Sequence, residues 1–198
     1  MAEPVHRLFA GSTLRLITHF LLHPEGRLHF RGLQAHTRLG TGALQRELAR
    51  LEALGLITRE ERDGKVYFAP VQDHPSWDAF RTLVREHGDP FVVLREALAD
   101  LEGLKAAFVY GSTVRGDTRP DSDIDVFIIE EGMPFGAIGG ATLDAQGLVD
   151  REINCVWYTP AKLMQRVRQR GGFVTNVLSG PKIWLVGSDD DLRPFLPG

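Results

Sequence analysis

The stretch AAFVYGSTVRGDTRPDSDIDVFIIEE, residues 106–131, constrains this chain more than any other. Two apolar runs of buried-strand type flank a small-residue turn, and the second run opens with carboxylates two positions apart, Asp123 and Asp125. Residues two apart on a strand point to the same side, so the two carboxylates project together while Ile124 and Val126 face a core. Unpaired carboxylates are costly to remove from water, and two side by side also repel. A divalent cation relieves both penalties, and Mg²⁺ characteristically takes one or two carboxylates together with phosphate oxygens of a substrate. Gly111 leaves room for a triphosphate to approach, and Ser112, at a helix start, offers a hydroxyl and backbone N–H groups to phosphate. Gly116, Asp117 and Ser122 shape the loop between turn and second strand.

The rest of the chain is consistent with such a site in a cytoplasmic protein. Cys155 is the single cysteine among 198 residues, so no intrachain disulfide exists and a reducing compartment fits. The longest run free of Asp, Glu, Lys and Arg, Gly132 to Leu143, is too short to span a bilayer, and Glu3 and His6 stand where a signal peptide needs basic and apolar residues. The expectation is therefore no export and no membrane segment. The net charge of −3 conceals an asymmetry: residues 1–85 carry 12 Lys+Arg against 9 Asp+Glu, the remainder 11 against 17. A mildly basic first part suits a polyanion partner, and an acidic second part suits metal ions.

The first part predicts helices followed by a hairpin. Leu14, Ile17, Leu21 and Leu22 recur at helical spacing, and His23-Pro24-Glu25-Gly26 ends that helix. A short helix follows around Phe30 to His36. After Gly40-Thr41-Gly42, a third puts Leu44, Leu48, Leu51 and Leu54 on one face and turns Gln45, Arg46, Ala49 and Arg50 away, with Gly55 as its C-terminal stop. Leu56 to Arg59 and Lys65 to Phe68 then flank an Asp-Gly turn, the hairpin signal. Three helices and a two-stranded wing are the order of a winged helix-turn-helix. In that arrangement the third helix enters the major groove, which makes Thr41, Gln45 and Arg46 candidates for base contacts. Arg50, Arg62 and Lys65 are candidates for phosphates. A solvated three-helix bundle, or a winged helix that binds protein, fits the same pattern.

A connector with Trp77, Phe80, Leu83 and Val84 on one helical face follows, able to serve as a homodimer contact. Asp89 and Pro90 then open a helix running through Leu101. The domain boundary is placed here, giving 1–87 as a winged helix-turn-helix with its connector and 88–198 as a second domain.

Gly111-Ser112, ten residues, then Asp123-Ile124-Asp125 resembles the nucleotidyltransferase pattern of the polymerase-beta superfamily in its minimal single-domain form. The segments LGTGALQRELARLEALGLI, HPSWDAF and GPKIWLVG extend the likeness to a group in which an ArsR-like winged helix precedes that domain. The resemblance implies an α+β chain whose second domain is a small mixed sheet with helices. It also implies metal-dependent transfer of a nucleoside monophosphate from NTP, with ATP as the expected substrate, Mg²⁺ or Mn²⁺ as the ion and pyrophosphate leaving. A third carboxylate on a neighbouring strand completes such clusters. Here the strand REINCVWYT offers Glu152 for metal support or acceptor activation, with Asn154 on the same face and Asp150 and Asp144 as fallbacks.

Beyond it, Thr159-Pro160 opens a helix that ends in Arg166, Arg168 and Arg170, cations that complement the helix dipole or hold a polyanion. Asn176, Ser179 and Lys182 lie in the next helix and before the last strand, Ile183 to Val186. Cys155 suits packing, and the scattered histidines give no paired metal-ligand spacing. From Ser188 to Gly198 eleven residues remain, so the expectation is a macromolecular acceptor with no further acceptor-binding domain. Three functions compete: a DNA-binding nucleotidyltransferase acting on a partner protein, a transcriptional regulator that senses NTP, and an antitoxin that modifies a toxin partner.

Overall fold

The computed structural model describes residues 10–115, 122–149, 151–169 and 172–196. Glu3, His6, Gly116, Asp117, Asp150 and Arg170, all named above, lie outside the described residues. The chain divides into two compact units, 1–97 with 147–149, and 98–146 with 150–198.

In the first unit, α1 (Gly11–Leu22), α2 (Phe30–Thr37) and α3 (Thr41–Ala53) bury Leu16, Ile17, Leu33, Leu44 and Leu51 among themselves. The expected place of Leu54 in that core is wrong: its side chain is 58% exposed. The helix stops one residue earlier than the leucine spacing suggests, because Gly55 takes φ +72° and the amides of Gly55 and Leu56 turn back to the carbonyls of Glu52 and Leu51. This Schellman turn carries Leu56 into the core where Leu54 was expected. Glu47, at 6% exposure, accepts hydrogen bonds from Ser12 Oγ (3.0 Å) and Thr13 Oγ1 (2.8 Å), which fastens the start of α1 to α3.

The hairpin β2 (Ile57–Arg62) and β3 (Lys65–Pro70) closes through Asp63 and Gly64, both at positive φ as a two-residue turn of this hand requires. The sequence pattern did not foresee β1 (Leu28–His29), which pairs with β3 through Leu28 opposite Phe68 and His29 opposite Tyr67. The helix α4 (Ser76–His87) buries Trp77 and Val84, and Trp77 Nε1 donates to the Val71 carbonyl at 2.7 Å. In α5 (Pro90–Leu98) Asp89 caps the N-terminus through the Phe91 amide at 2.8 Å, and the helix ends at Leu98, short of Leu101. Three of the seven histidines come together in the fold. Helical spacing brings the His23 ring to 4.8 Å from that of His19, His36 comes to 5.6 Å, and His19 Nδ1 lies 3.4 Å from Glu96 Oε2.

The second unit is built on a sheet of order β6-β5-β4-β7, formed by β4 (Leu104–Tyr110), β5 (Ile124–Glu130), β6 (Ile153–Tyr158) and β7 (Ile183–Val186). Only β5 and β6 run parallel. A one-turn helix α6 (Ser112–Arg115) follows β4. The face of Phe108, Phe127 and Ile129 is covered by α8 (Pro160–Arg168), α9 (Phe173–Ser179) and the 3₁₀ segment Asp189–Phe195. The carboxylate side of β5 is open only at its start: Phe127 and Ile129 share the side of Asp125 and are buried, as an apolar run of buried-strand type implies. The glycine-rich segment also contains a helix, α7 (Ala137–Gln146), despite Gly139 and Gly140. Burial of Ile138 and Ala145, and the Thr142 Oγ1 contact to Cys155 Sγ at 3.4 Å, outweigh a propensity cost of about 1 kcal/mol per glycine. Among the described residues no helix is long and apolar enough to cross a membrane.

Candidate active site

At the end of β4, antiparallel register sets Tyr110 opposite Asp125. The chain then turns at Gly111, with φ +83°, into α6, which begins at Ser112. A Cβ on Gly111 would lie 2.7 Å from Asp125 Oδ2, so the missing side chain is what lets the turn pass against the carboxylate. Asp125 is half-buried and its pKa is raised, first by burial and then by the charge of Asp123. Burial, then the charge of Asp125, pushes the Tyr110 phenol up to about 12, so it stands as an uncharged hydroxyl.

Asp123 is exposed and sits one residue ahead of β5. Its main chain is fixed from two directions, neither apparent in the sequence pattern. Thr113 Oγ1 donates to the Asp123 carbonyl (3.2 Å), and Arg151 donates to the carbonyls of Ser122 and Asp123 and to Thr113 Oγ1 (2.9 Å). Burial lowers the pKa of Arg151, while the Asp123 charge acts to raise it. A long cationic side chain beside two acidic strand ends was the available signal.

Parallel register sets Asn154 opposite Asp125, and its Nδ2 donates to Asp123 Oδ2 at 3.2 Å. Asn154 is thus the side chain that, among the described residues, hydrogen-bonds to a carboxylate of the pair. Glu152 lies one position before β6, exposed, with its carbonyl accepting from the Ile124 amide at 2.8 Å. Asp144 is exposed on α7. Among the described residues no group of three or more His, Cys, Asp or Glu is placed to hold one metal ion. Two carboxylates with hard oxygen donors, one of them with its pKa raised by burial and then by its neighbour's charge, nevertheless fit a single Mg²⁺ or Mn²⁺ shared with substrate oxygens. Asp123 and Asp125 would hold it.

Beside Gly111 opens a pocket of about 240 Å³ lined by Tyr110, Arg115, Phe173, Asn176, Val177 and Pro181. The Tyr110 and Phe173 rings meet edge to face at 5.6 Å along its wall. Of the three residues named near the last strand, Asn176 faces this pocket. Ser179 is occupied by the Thr175 carbonyl (2.9 Å), and Lys182 caps the carbonyls of Leu178 and Gly180 while lying over the Phe108 ring. Arg166 lines a neighbouring pocket of about 160 Å³ with Tyr158 and Phe173, and Arg168 is exposed. Cys155 is largely covered, its thiol pKa pushed up by burial.

In the first unit the candidate DNA contacts separate into engaged and unengaged groups. Thr41 Oγ1 accepts from Gln34 Nε2 (3.0 Å), Arg50 lies 3.6 Å from Glu47, and Arg62 Nε donates to Glu60 (2.8 Å), which also pairs with Arg27. Arg46 and Lys65 are exposed with no ion pair among the described residues. Gln45 lines a groove between α3 and the hairpin. The sequence pattern did not single out Arg59, which lines the same groove.

Residues 93–169 match the family model of the nucleotidyltransferase domain. No curated protein and no solved structure gives a significant match to the chain. The matched segment runs through both carboxylates, Gly111, Arg151 and Asn154, and supports transfer of a nucleoside monophosphate as its general chemistry. A domain of this kind implies an NTP substrate and, usually, a divalent metal.

Proposed function

We propose that the second unit binds an NTP, with ATP as the expected one, against Asp123 and Asp125 and transfers its nucleoside monophosphate to a hydroxyl of a macromolecular acceptor. The observation that carries this reading is the crowding of Gly111 against Asp125 Oδ2, at a turn that leads into the pocket lined by Tyr110, Phe173 and Asn176. In that pocket the aromatic walls take the base or ribose, Asn176 supplies a hydrogen bond, and Arg115 stands on the phosphate side. A bound Mg²⁺ or Mn²⁺ would neutralise the pair and the triphosphate together and so make charge development at the α-phosphate affordable.

The acceptor oxygen attacks the α-phosphorus, the bond from that phosphorus to the bridging oxygen of the β-phosphate breaks, and pyrophosphate leaves with the electron pair. Glu152 is the candidate to take the acceptor's proton, being exposed at the same strand ends. The Tyr110 hydroxyl, held protonated, donates toward Asp125 or a phosphate oxygen rather than acting as a base. Arg151 and Thr113 keep the Asp123 main chain in place while this occurs.

A second reading rests on Asn154. An amide, not a carboxylate, contacts the pair, which favours a domain that binds NTP and reports its presence without turnover. One experiment separates the two. The protein is incubated with α-labelled ATP, Mg²⁺ and cell-extract acceptors, and the Asp123→Ala variant is run beside it. Transfer that falls about a hundredfold in the variant, the scale of losing one electrostatic stabiliser, supports the transferase. Metal-dependent ATP binding with no label transferred supports the sensor, and the absence of both ends the proposal.

For the first unit we propose a winged helix-turn-helix that binds operator DNA through α3, with Arg46 toward base edges and Lys65 toward phosphate. The order α1, α2, α3, hairpin supports this, as does the exposure of those two cations.

A further inference from the structure

The first unit contains an open pocket of about 300 Å³ that the functions above leave unused, lined by Phe30, three residues of the hairpin and four of α3. Its construction follows from two periodicities. In the hairpin, Arg59 is registered opposite Phe68 and Glu61 opposite Val66, so Arg59, Phe68 and Val66 share one face. On α3, Gln45, Leu48, Ala49 and Glu52 fall at i, i+3, i+4 and i+7 and make one stripe. Where the two surfaces converge, the floor is apolar, with Phe68 at 7% and Leu48 at 3% exposure, and Phe30, Ala49 and Val66 continue it. The pocket is open because residue 49 is alanine; a longer side chain there would project into the space. Its volume is at the lower end of the range that accepts small organic ligands.

The charges give the ligand's chemistry. Arg59 and Glu52 both line the pocket, both are exposed, and neither side chain makes an ion pair or hydrogen bond among the described residues. On the opposite face of the same hairpin, Glu60 is taken by Arg62 at 2.8 Å and by Arg27 at 2.6 Å. The cation on the pocket face thus stands over an apolar floor with its guanidinium uncompensated, the arrangement that holds a carboxylate or sulfonate whose body is buried beside it. Glu52, across the pocket, opposes a second negative group and accepts from a hydroxyl or N–H donor.

We propose that this pocket binds a small organic monoanion with an aromatic or branched apolar body, its acid group paired with Arg59 and a donor group directed at Glu52. A guest in that position covers Gln45.

The test uses the full chain and two probes that share most of an apolar body, 1-anilinonaphthalene-8-sulfonate and its uncharged counterpart N-phenyl-1-naphthylamine. Fluorescence titration measures affinity, and amide shifts in ¹H–¹⁵N spectra locate the probe. Expected are shifts at Gln45, Ala49, Arg59 and Val66, with the sulfonate binding about tenfold more tightly than the neutral probe. Arg59→Gln removes that difference, Glu52→Gln strengthens the sulfonate a few-fold, and Ala49→Leu abolishes both probes. Residue 49 is exposed, so the last change leaves the core intact, which the circular dichroism spectrum checks. Probe shifts confined to other residues, a sulfonate advantage that survives Arg59→Gln, or binding unchanged in Ala49→Leu would each overturn the proposal.

Discussion

The two units treat charge in opposite ways. On the hairpin of the first, Glu60 is engaged by Arg27 and Arg62, its pKa lowered chiefly by the Arg62 hydrogen bond, and Arg50 lies against the buried Glu47. At the strand ends of the second, Asp123 and Asp125 repel each other, the Asp125 carboxylate takes no hydrogen bond or ion pair among the described residues, and the nearby cation Arg151 donates to carbonyls and to Thr113 instead of to the carboxylates. A surface that has already satisfied its charges gains little from a partner. A rigid strand end that holds like charges together gains a great deal from a counterion, and this is why the second unit reads as a site from its geometry while the first reads as one only through its exposed Arg46, Lys65 and Arg59.

The contrast is broken most severely by Gly111→Ala. The new Cβ lands 2.7 Å from Asp125 Oδ2 at a φ of +83°, so either the turn or the carboxylate must move. The expected loss is roughly 2–3 kcal/mol of stability by denaturant unfolding, together with loss of nucleotide binding. A variant of wild-type stability that still binds ATP shows the close approach to be incidental.

A smaller effect tests whether the acidic pair is strained without a counterion. Burial and the charge of Asp123 raise the pKa of Asp125, so the folded chain holds that proton more tightly than the unfolded chain does. The stabilising contribution of the protonated form is complete below the unfolded value of 3.8 and lost as pH rises through the raised folded value. At neutral pH the ionised group therefore opposes folding, and its partial exposure keeps the effect small. Asp125→Asn should raise the thermal midpoint by roughly 1–2 °C at pH 7 and leave it unmoved at the acid end. A lower midpoint at pH 7 means the chain already compensates the charge.

The smallest change sharpens the other half of the comparison. Glu60→Gln releases Arg27 and Arg62 from their shared carboxylate, and the group is exposed enough that stability should not move. If the hairpin rides on DNA, affinity for duplex rises a few-fold at low salt and the salt slope steepens by about one, while Arg46→Ala weakens binding. Affinity indifferent to both substitutions removes α3 and the hairpin from the interface.

The helices of the first unit, the Asp-Gly hairpin, the Asp89 cap and the four strands of the second unit all follow from local periodicity and turn chemistry, because each is specified by neighbours within a few residues. The same holds for the pairing of Gly111 with Asp123 and Asp125, whose spacing is written in one continuous stretch. Where local signals competed, tertiary packing chose. Leu56 displaced Leu54 because a left-handed glycine reversed the chain, and Gly139 and Gly140 stayed helical because Ile138 and Ala145 were buried. His19, His23, His36 and Glu96 came together from three helices with no common motif.

What the sequence by itself determined is which residues can carry the chemistry: two carboxylates on one strand side, a glycine turn opposite them, and a basic outer helix face. Which polar group meets the pair was decided only by the sheet. Parallel register sets Asn154, not Glu152, opposite Asp125, and the reach of Arg151 ties Ser122, Asp123 and Thr113 into one anchor. Register between strands distant in the chain is fixed by the packing of both sheet faces at once, and no local pattern along either strand contains it.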